Sequence, residues 1–482
     1  MDPAAAPPPR GTLLQTPQVL SLETAASLVL QLNNEEQLAA LVENPLCDIA
    51  LLHMRYATLG GVNEATEASA ALMVPTGADA KCTGVRPIVL YAHGTTTARD
   101  FNIATVDNNS EGLVLAAFFA SQGYIVVAPN YAGYDTSTLP YHPYLVADQQ
   151  SKDMIDALRA ARSALPVVSA VTTTDSGRLF ITGYSQGGYV AMATHRAMQD
   201  AGMAVVASAP MSGPYALGAF VDTVVFGRVS GGAPVSWTLL ISAYQNSYGN
   251  IYGSSSDIFE SQYATGIDSL LPSLTPRSDL YAQGKLPRSA LFNATSPDPL
   301  DADITPATEP ASLAAVFANG FGSDNLVTNT YRASYLADAR SNPDGGWPTV
   351  TTDAPAATPG LALRQALKRN DLRDWTPTAP VLLCGGNSDP VVFWLNTELM
   401  QGLWSRRSSV PFSVLDLDSN AAAGDPFETL KNRFALAKDL IAATAVAQGA
   451  TDGGAAAVLE AYHAGLVPPF CLAAVSSFFS AQ

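Results

Sequence analysis

Short apolar runs alternate with amphipathic stretches along much of this chain. Arg86-Pro-Ile-Val-Leu-Tyr-Ala92, Gly123-Tyr-Ile-Val-Val-Ala-Pro129, Arg178-Leu-Phe-Ile-Thr182 and Val205 to Ser208 are apolar enough to predict strands buried on both faces. Between them, Glu111 to Gln122, Asp148 to Leu165 and Gly187 to Met198 predict helices. The second carries Met154, Ile155, Leu158 and Ala161 on one face and stops at Pro166. Upstream, a Pro-rich arm over residues 1–20 leads into a predicted helix with Ser21 as its N-cap and Glu23 in its first turn. Two β-like stretches follow, Ile49 to Tyr56 and Ala70 to Val74. Strand and helix in alternation predict an α/β protein with a mostly parallel central sheet, covered on both sides.

The alternation lapses between residues 216 and 375. This segment is rich in Gly, Ser, Tyr and short helical pieces, with Trp237, Tyr244, Tyr248, Tyr252, Phe259 and Phe317 scattered through it, and a Pro/Gly/Thr loop from Asn342 to Gly360 near its exit. Strand patterning resumes at Ala379 to Gly385 and Phe412 to Leu417, and a helix from Pro426 to Gln448 precedes a short tail. The expected organisation is an arm and helix over 1–45, a first core part over 46–215, an inserted, mainly helical cap or lid over 216–375, and a second core part over 376–482. At 482 residues, length alone suggests about three domains. One sheet with a large insertion accounts for the pattern better.

Composition narrows the class. With 48% hydrophobic and 14% charged residues, the chain can bury a large core. The formal charge of −17 argues against a nucleic acid partner, which needs clustered Lys and Arg. No apolar run approaches the ~18 residues of a membrane span. The start, MDPAAAPPPR, has neither a basic nor an apolar leader region. Low charge, abundant Ser, Thr and Gly, and four Cys predict an exported protein whose signal has been removed. The cysteines have no zinc-like spacing, so no metal is expected; two disulfides are, Cys47–Cys82 and Cys384–Cys471. Asn108-Asn-Ser110 and Asn293-Ala-Thr295 match glycosylation acceptors.

Candidate chemistry centres on Gly183-Tyr-Ser-Gln-Gly187, which directly follows a buried strand and precedes a helix. That context suits a nucleophile elbow, where the residues two before and two after Ser185 must be small for the turn to close. A serine hydroxyl needs a base, itself oriented by a third group. Of five His, His53, His93 and His142 precede Ser185 and His195 sits on the following helix, so His463 is the candidate base, in a loop-like or helix-end setting. Asp389, on a Gly-rich loop after the Val381–Cys384 strand, is the candidate acid, with Asp416, Asp418 and Asp425 as rivals. The His93-Gly-Thr95 turn at the end of an earlier strand predicts backbone N–H donors at Thr95 and Gln186, with His93 held behind the turn.

These motifs, together with Gly123-Tyr-Ile-Val-Val-Ala-Pro-Asn-Tyr-Ala-Gly133 and Asp156-Ala-Leu-Arg-Ala160, resemble the secretory lipase family (lipase A-like) of the α/β-hydrolase superfamily. The resemblance runs from about residue 86 to 215 and recurs around Asp389 and His463. It implies an α/β-hydrolase fold, a cap between the sixth and seventh strands, serine ester hydrolysis and no cofactor, with Ser185, Asp389 and His463 as the triad. The chain departs from the family at Thr96-Thr-Ala-Arg-Asp100, where a Cys-containing stretch is expected, and in the long segment before His463. The expected activity is secreted carboxylic ester hydrolysis of short- to medium-chain acyl esters, polyesters included. A prolyl-peptidase-like enzyme and a non-catalytic binding protein on the same fold are the alternatives.

Overall fold

A computed structural model describes residues 6–33, 39–105, 110–168, 171–296, 304–407 and 409–482. Nine strands form one sheet: β1 (Gln18–Glu23), β2 (Asp48–Leu59), β3 (Ala65–Thr76), β4 (Val85–Ala92), β5 (Ile125–Pro129), β6 (Thr174–Tyr184), β7 (Ala207–Met211), β8 (Val381–Gly385) and β9 (Phe412–Asp416). Their spatial order is β1-β2-β3-β5-β4-β6-β7-β8-β9. Strands β1 to β3 pair antiparallel, and β3 meets β5 antiparallel. From β5 through β9 every pairing is parallel. Because β4 has its successor β5 on one side and β6 on the other, the strand order reverses there. Such a reversal opens a crevice at the carboxyl ends of the strands.

The helices that position the site are α1 (Ala25–Asn33), α2 (Ser110–Phe118), α3 (Ala147–Ala164) and α4 (Gln186–Asp200). They are followed by α5 (Leu217–Val225), α6 (Ala233–Tyr248), α7 (Asn329–Ser341), α8 (Ala362–Asn370), α9 (Leu395–Ser405), α10 (Glu428–Ala447), α11 (Ala455–Ala461) and α12 (Val467–Ser480). Period-two alternation sends neighbouring strand residues to opposite faces. Leu90, Ile181 and Leu383 join a core with α3 and α4, while Val89, Phe180 and Leu382 join a second core with α2 and α12. Both faces are dry, which is why the parallel strands read as continuous apolar runs.

The segment between β7 and β8 is helical, carrying α5 to α8 and several shorter turns. Buried arginines stitch it together. Arg373 meets Asp344 and Asp371 at 2.7 Å each, and Arg364 meets Asp222 at 2.8 Å and Asp338 at 3.0 Å. Tyr244, Phe259 and Phe317 are buried in the core of this segment.

Three expectations need correction. Ser21 is not a helix cap: it lies in β1, opposite Leu51, because an edge strand beside β2 satisfies its backbone. The first helix is capped by Thr24, whose Oγ1 accepts from Ser27 N–H at 3.0 Å. Strand β7 runs later than Val205–Ser208, since its register with β6 carries it to Met211, opposite Tyr184. Finally, the helical run Ala455–Ser480 is long and apolar enough, by length and composition, to cross a membrane. Its second part, α12, packs on the sheet, with Phe470, Cys471 and Val475 buried.

Disulfides join Cys47 to Cys82 and Cys384 to Cys471. The first closes the start of β2 onto the loop after β3, and the second ties β8 to α12. Asn108 lies outside the described residues. Asn293 donates its Nδ2 to Asn325 Oδ1 at 3.0 Å.

Candidate active site

Strand β6 ends at Tyr184 and α4 begins at Gln186, which leaves Ser185 alone in the turn with φ 59° and ψ −121°. A serine at positive φ is strained and is kept there only by its surroundings. Its N–H is tied to Met211 O at 3.0 Å. The flanking glycines are steric necessities. A Cβ on Gly187 would lie 1.9 Å from the Ala92 carbonyl oxygen, and one on Gly183 would lie 2.4 Å from Gly187 O.

His463 Nε2 stands 2.8 Å from Ser185 Oγ, and His463 Nδ1 stands 2.7 Å from Asp389 Oδ2. A carboxylate only accepts, so Nδ1 carries the proton and Nε2 is left to accept from the serine hydroxyl. The other Asp389 oxygen accepts from Val391 N–H at 2.8 Å and Val392 N–H at 3.0 Å, which fixes the carboxylate plane. All three side chains are buried or nearly so. His463 sits in a wide π-type turn, Tyr462–Leu466, between α11 and α12, rather than in a loop. Tyr184 also contacts it, donating its hydroxyl to His463 O at 2.5 Å.

The rival carboxylates serve as props. Asp416 accepts from Asn387 N–H and Nδ2 at 3.1 and 2.8 Å, bracing the loop that carries Asp389. Asp418 accepts from Tyr462 Oη at 2.8 Å and pairs with Lys438. The Tyr462 hydroxyl in turn accepts from Ser388 N–H at 3.3 Å, so it bridges the loop of Asp389 and the turn of His463. Asp425 pairs with Lys431.

The remaining histidines are engaged elsewhere. His53 faces Asp135 at 2.7 Å and His195 faces Ser208 Oγ at 2.8 Å. His93 lies behind the 93–95 turn, stacked on Tyr131, with Nδ1 2.6 Å from Gly94 O. Burial pushes it down to about 4, so the ring is neutral and has one N–H; Nδ1 has the shorter contact, Nε2 lying 3.2 Å from Asn130 O, and the proton is assigned to Nδ1. In a trans peptide C=O and N–H point in opposite directions. Holding Gly94 O backward therefore aims Thr95 N–H forward. Thr95 lines the same cleft as Ser185.

Gln186 is anchored by a residue that pattern reasoning passed over. Its Nε2 lies 2.7 Å from His142 Nε2, while His142 Nδ1 lies 2.9 Å from Ala132 O. Burial pushes His142 down to about 3. A neutral ring donates from Nδ1 to Ala132 and accepts at Nε2 from Gln186. Gln186 N–H, at the first position of α4, is one of the helix's unpaired donors and carries partial positive charge.

A cleft of about 870 Å³ opens above Ser185. Its walls include Leu217, Val221 and Trp237 from the helical segment, and Leu113, Pro468 and Leu472 from α2 and α12. Trp237 thus borders the cleft, whereas Tyr244 packs inside. Polar groups on the wall include Glu111, Tyr144 and Arg277.

Residues 114–239, which span the elbow, match the prolyl oligopeptidase family. Among solved structures, the rice cell wall degrading esterase LipA from Xanthomonas oryzae is 27% identical, covering 88% of this chain and 95% of that one with a TM-score of 0.66. The fold is that of the α/β-hydrolases. A protein from Legionella pneumophila shares it at 21% identity, covering 83% and 91% of the two chains with a TM-score of 0.61. Candida antarctica lipase A in its closed state shares it at 11% identity, covering 84% and 76% with a TM-score of 0.50. No curated protein sequence matches. Family match and esterase likeness together support a hydrolase.

Proposed function

We propose that the protein is a serine carboxylic ester hydrolase of the secretory lipase kind, working through an acyl-enzyme. The reading rests on one observation: an unbroken hydrogen-bonded line from Asp389 through His463 to Ser185, at the floor of an apolar cleft. Ser185 Oγ attacks the ester carbonyl as His463 Nε2 takes its proton. The carbonyl oxygen becomes an oxyanion held by the N–H groups of Thr95 and Gln186. Collapse breaks the C–O bond, and His463 returns the proton to the departing alcohol. Water then attacks the acyl-serine with the same base, releasing the acid. Asp389 holds the imidazole in one tautomer and stabilises the imidazolium.

The cleft's apolar walls favour an acyl chain over a charged group, and its volume accommodates short- to medium-chain esters. The helical segment 216–375 supplies one side of that wall, including Leu217, Val221 and Trp237, in the position of a cap. Two disulfides and the likeness to an esterase that degrades plant cell wall support export and a polymeric ester substrate. A prolyl-peptidase-like enzyme is the second reading, favoured by the family match across the elbow. Among the described residues every named strand belongs to the one sheet, and none of them forms a propeller blade.

Three assays decide between these readings. A fluorophosphonate is expected to label the wild type and not Ser185→Ala; absence of labelling would point to a binding protein. Nitrophenyl esters of graded chain length are expected to turn over, with a prolyl-peptide substrate left intact. Cleavage of the peptide at a comparable rate would overturn the ester assignment. Polyester film and emulsified triglyceride complete the panel.

A further inference from the structure

Glu111, the second residue of α2, is a carboxyl on the cleft wall that the catalytic line does not use. Its Oε1 accepts from Tyr91 Oη at 2.6 Å and from Gly94 N–H at 3.1 Å. Gly94 is the middle of the turn that presents Thr95, and a Cβ placed on it would lie 4.0 Å from Ser185 Cβ. The turn's two polar handles therefore have different keepers. His93 holds Gly94 O from behind, and Glu111 holds Gly94 N–H from the side of α2. A residue with both of its own backbone groups tethered cannot rotate its peptide planes. Thr95 N–H, which shares a peptide plane with Gly94 O, inherits that fixed direction.

Resting on the hydrolase reading above, we propose that Glu111 is a positioning residue that locks the 93–95 turn so that Thr95 N–H faces the developing oxyanion. What the lock requires is an acceptor oxygen held by the Tyr91 hydroxyl, and not a negative charge. Burial raises the Glu111 carboxyl above its usual range, and a protonated carboxyl still accepts at its carbonyl oxygen. Tyr91 stands close by on β4, and the wider cleft wall carries Tyr144, Tyr184, His463 and Arg277 as its other titratable or charged members. None of them contacts Gly94 N–H in place of Glu111.

The test compares Glu111→Leu, Glu111→Gln and Tyr91→Phe in the full chain, by ester kinetics and by the rate of fluorophosphonate labelling. In Glu111→Leu, kcat is expected to fall about thirtyfold with KM within about threefold, since a freed donor loses part of the 10²–10³ that an oxyanion contact supplies. Glu111→Gln keeps an acceptor for both donors and is expected to recover to within about threefold of wild type at every pH from 6 to 9. A Leu variant as fast as wild type overturns the inference, and so does a Gln variant as slow as the Leu one. If Glu111→Leu does not fold, Tyr91→Phe carries the test: it removes one hydroxyl, and kcat is expected to drop several-fold, an unchanged kcat being the contrary result. A wild type that neither labels nor cleaves esters removes the hydrolase reading and this inference together. A wild type that labels without cleaving esters leaves the labelling rate of Glu111→Leu as the readout, expected to be slower.

Discussion

Asp389 gives Oδ2 to His463 Nδ1 at 2.7 Å and leaves Oδ1 to two backbone N–H groups, so neither oxygen is free to turn away. Asp389→Asn puts an amide in that place and permits the wrong imidazole tautomer. A fall in kcat of about 10⁴ is expected, with KM little changed. Asp416→Asn, which only loosens the brace on Asn387, is expected to stay within about tenfold of wild type. Steady-state kinetics on a nitrophenyl ester separates the two, and the reverse ranking would give the acid role to Asp416.

His142 and Gln186 meet through ring nitrogen and amide at 2.7 Å, both side chains buried. His142→Ala leaves the amide with no acceptor and frees the residue whose N–H we propose as an oxyanion donor. Here kcat is expected to drop about tenfold or more, KM to hold, and the melting temperature to fall. A lower melting temperature with unaltered kcat would mean that the histidine serves packing alone.

The Cys384–Cys471 bridge links the strand before Asp389 to the helix after His463, closing 87 residues. Replacing both with Ser is expected to lower stability by about 2–4 kcal/mol. It is also expected to reduce kcat by about tenfold, because small displacements of acid from base are costly. The Cys47Ser/Cys82Ser pair, on the far side of the sheet order, is expected to lose stability with kcat preserved. Denaturant midpoints and kinetics on both variants provide the comparison.

Acid sensitivity follows from three enclosed imidazoles. Burial pushes His93 and His195 down to about 4 and His142 to about 3, against about 6.5 in an unfolded chain. A depressed group favours the folded state above its unfolded value. That contribution is lost as pH falls from about 6.5 toward 4, where the unfolded chain binds the extra protons. Asp153, pushed up to about 7 by burial, acts with the opposite sign and gains stability over the same descent. His195→Gln removes one proton from the balance and leaves Asp153 untouched. Its urea midpoint is expected to drop less than that of wild type between pH 7 and 4.5; an equal drop would count against the assignment.

Legibility in the sequence tracked how local each constraint is. Ser185 stood out because the turn admits only glycine at 183 and 187, a restriction written within five residues. The sheet was readable because strands buried on both faces are apolar throughout. His463 was reachable only through chain order, and Asp389 only through its place on a Gly-rich loop after a buried strand, as little else near either residue distinguishes it from a surface imidazole or a turn carboxylate. Glu111, His142, Tyr184 and Tyr462 left no mark, since their roles depend on partners brought in by tertiary packing. Ser21 misled for the opposite reason: its local helix signal lost to an available sheet edge.

Between α11 and α12 the backbone completes one wide π-type turn, and His463 rides on it. Such a turn holds about one residue more than an α-turn. Excising a single residue there would turn the segment that follows by about 100° against the one before it. The imidazole would then swing off the line joining carboxylate and hydroxyl, with its identity, its neighbours in sequence and the helix all intact. Reactivity in this molecule is thus encoded as a phase offset between two successive segments, a quantity that no substitution table registers.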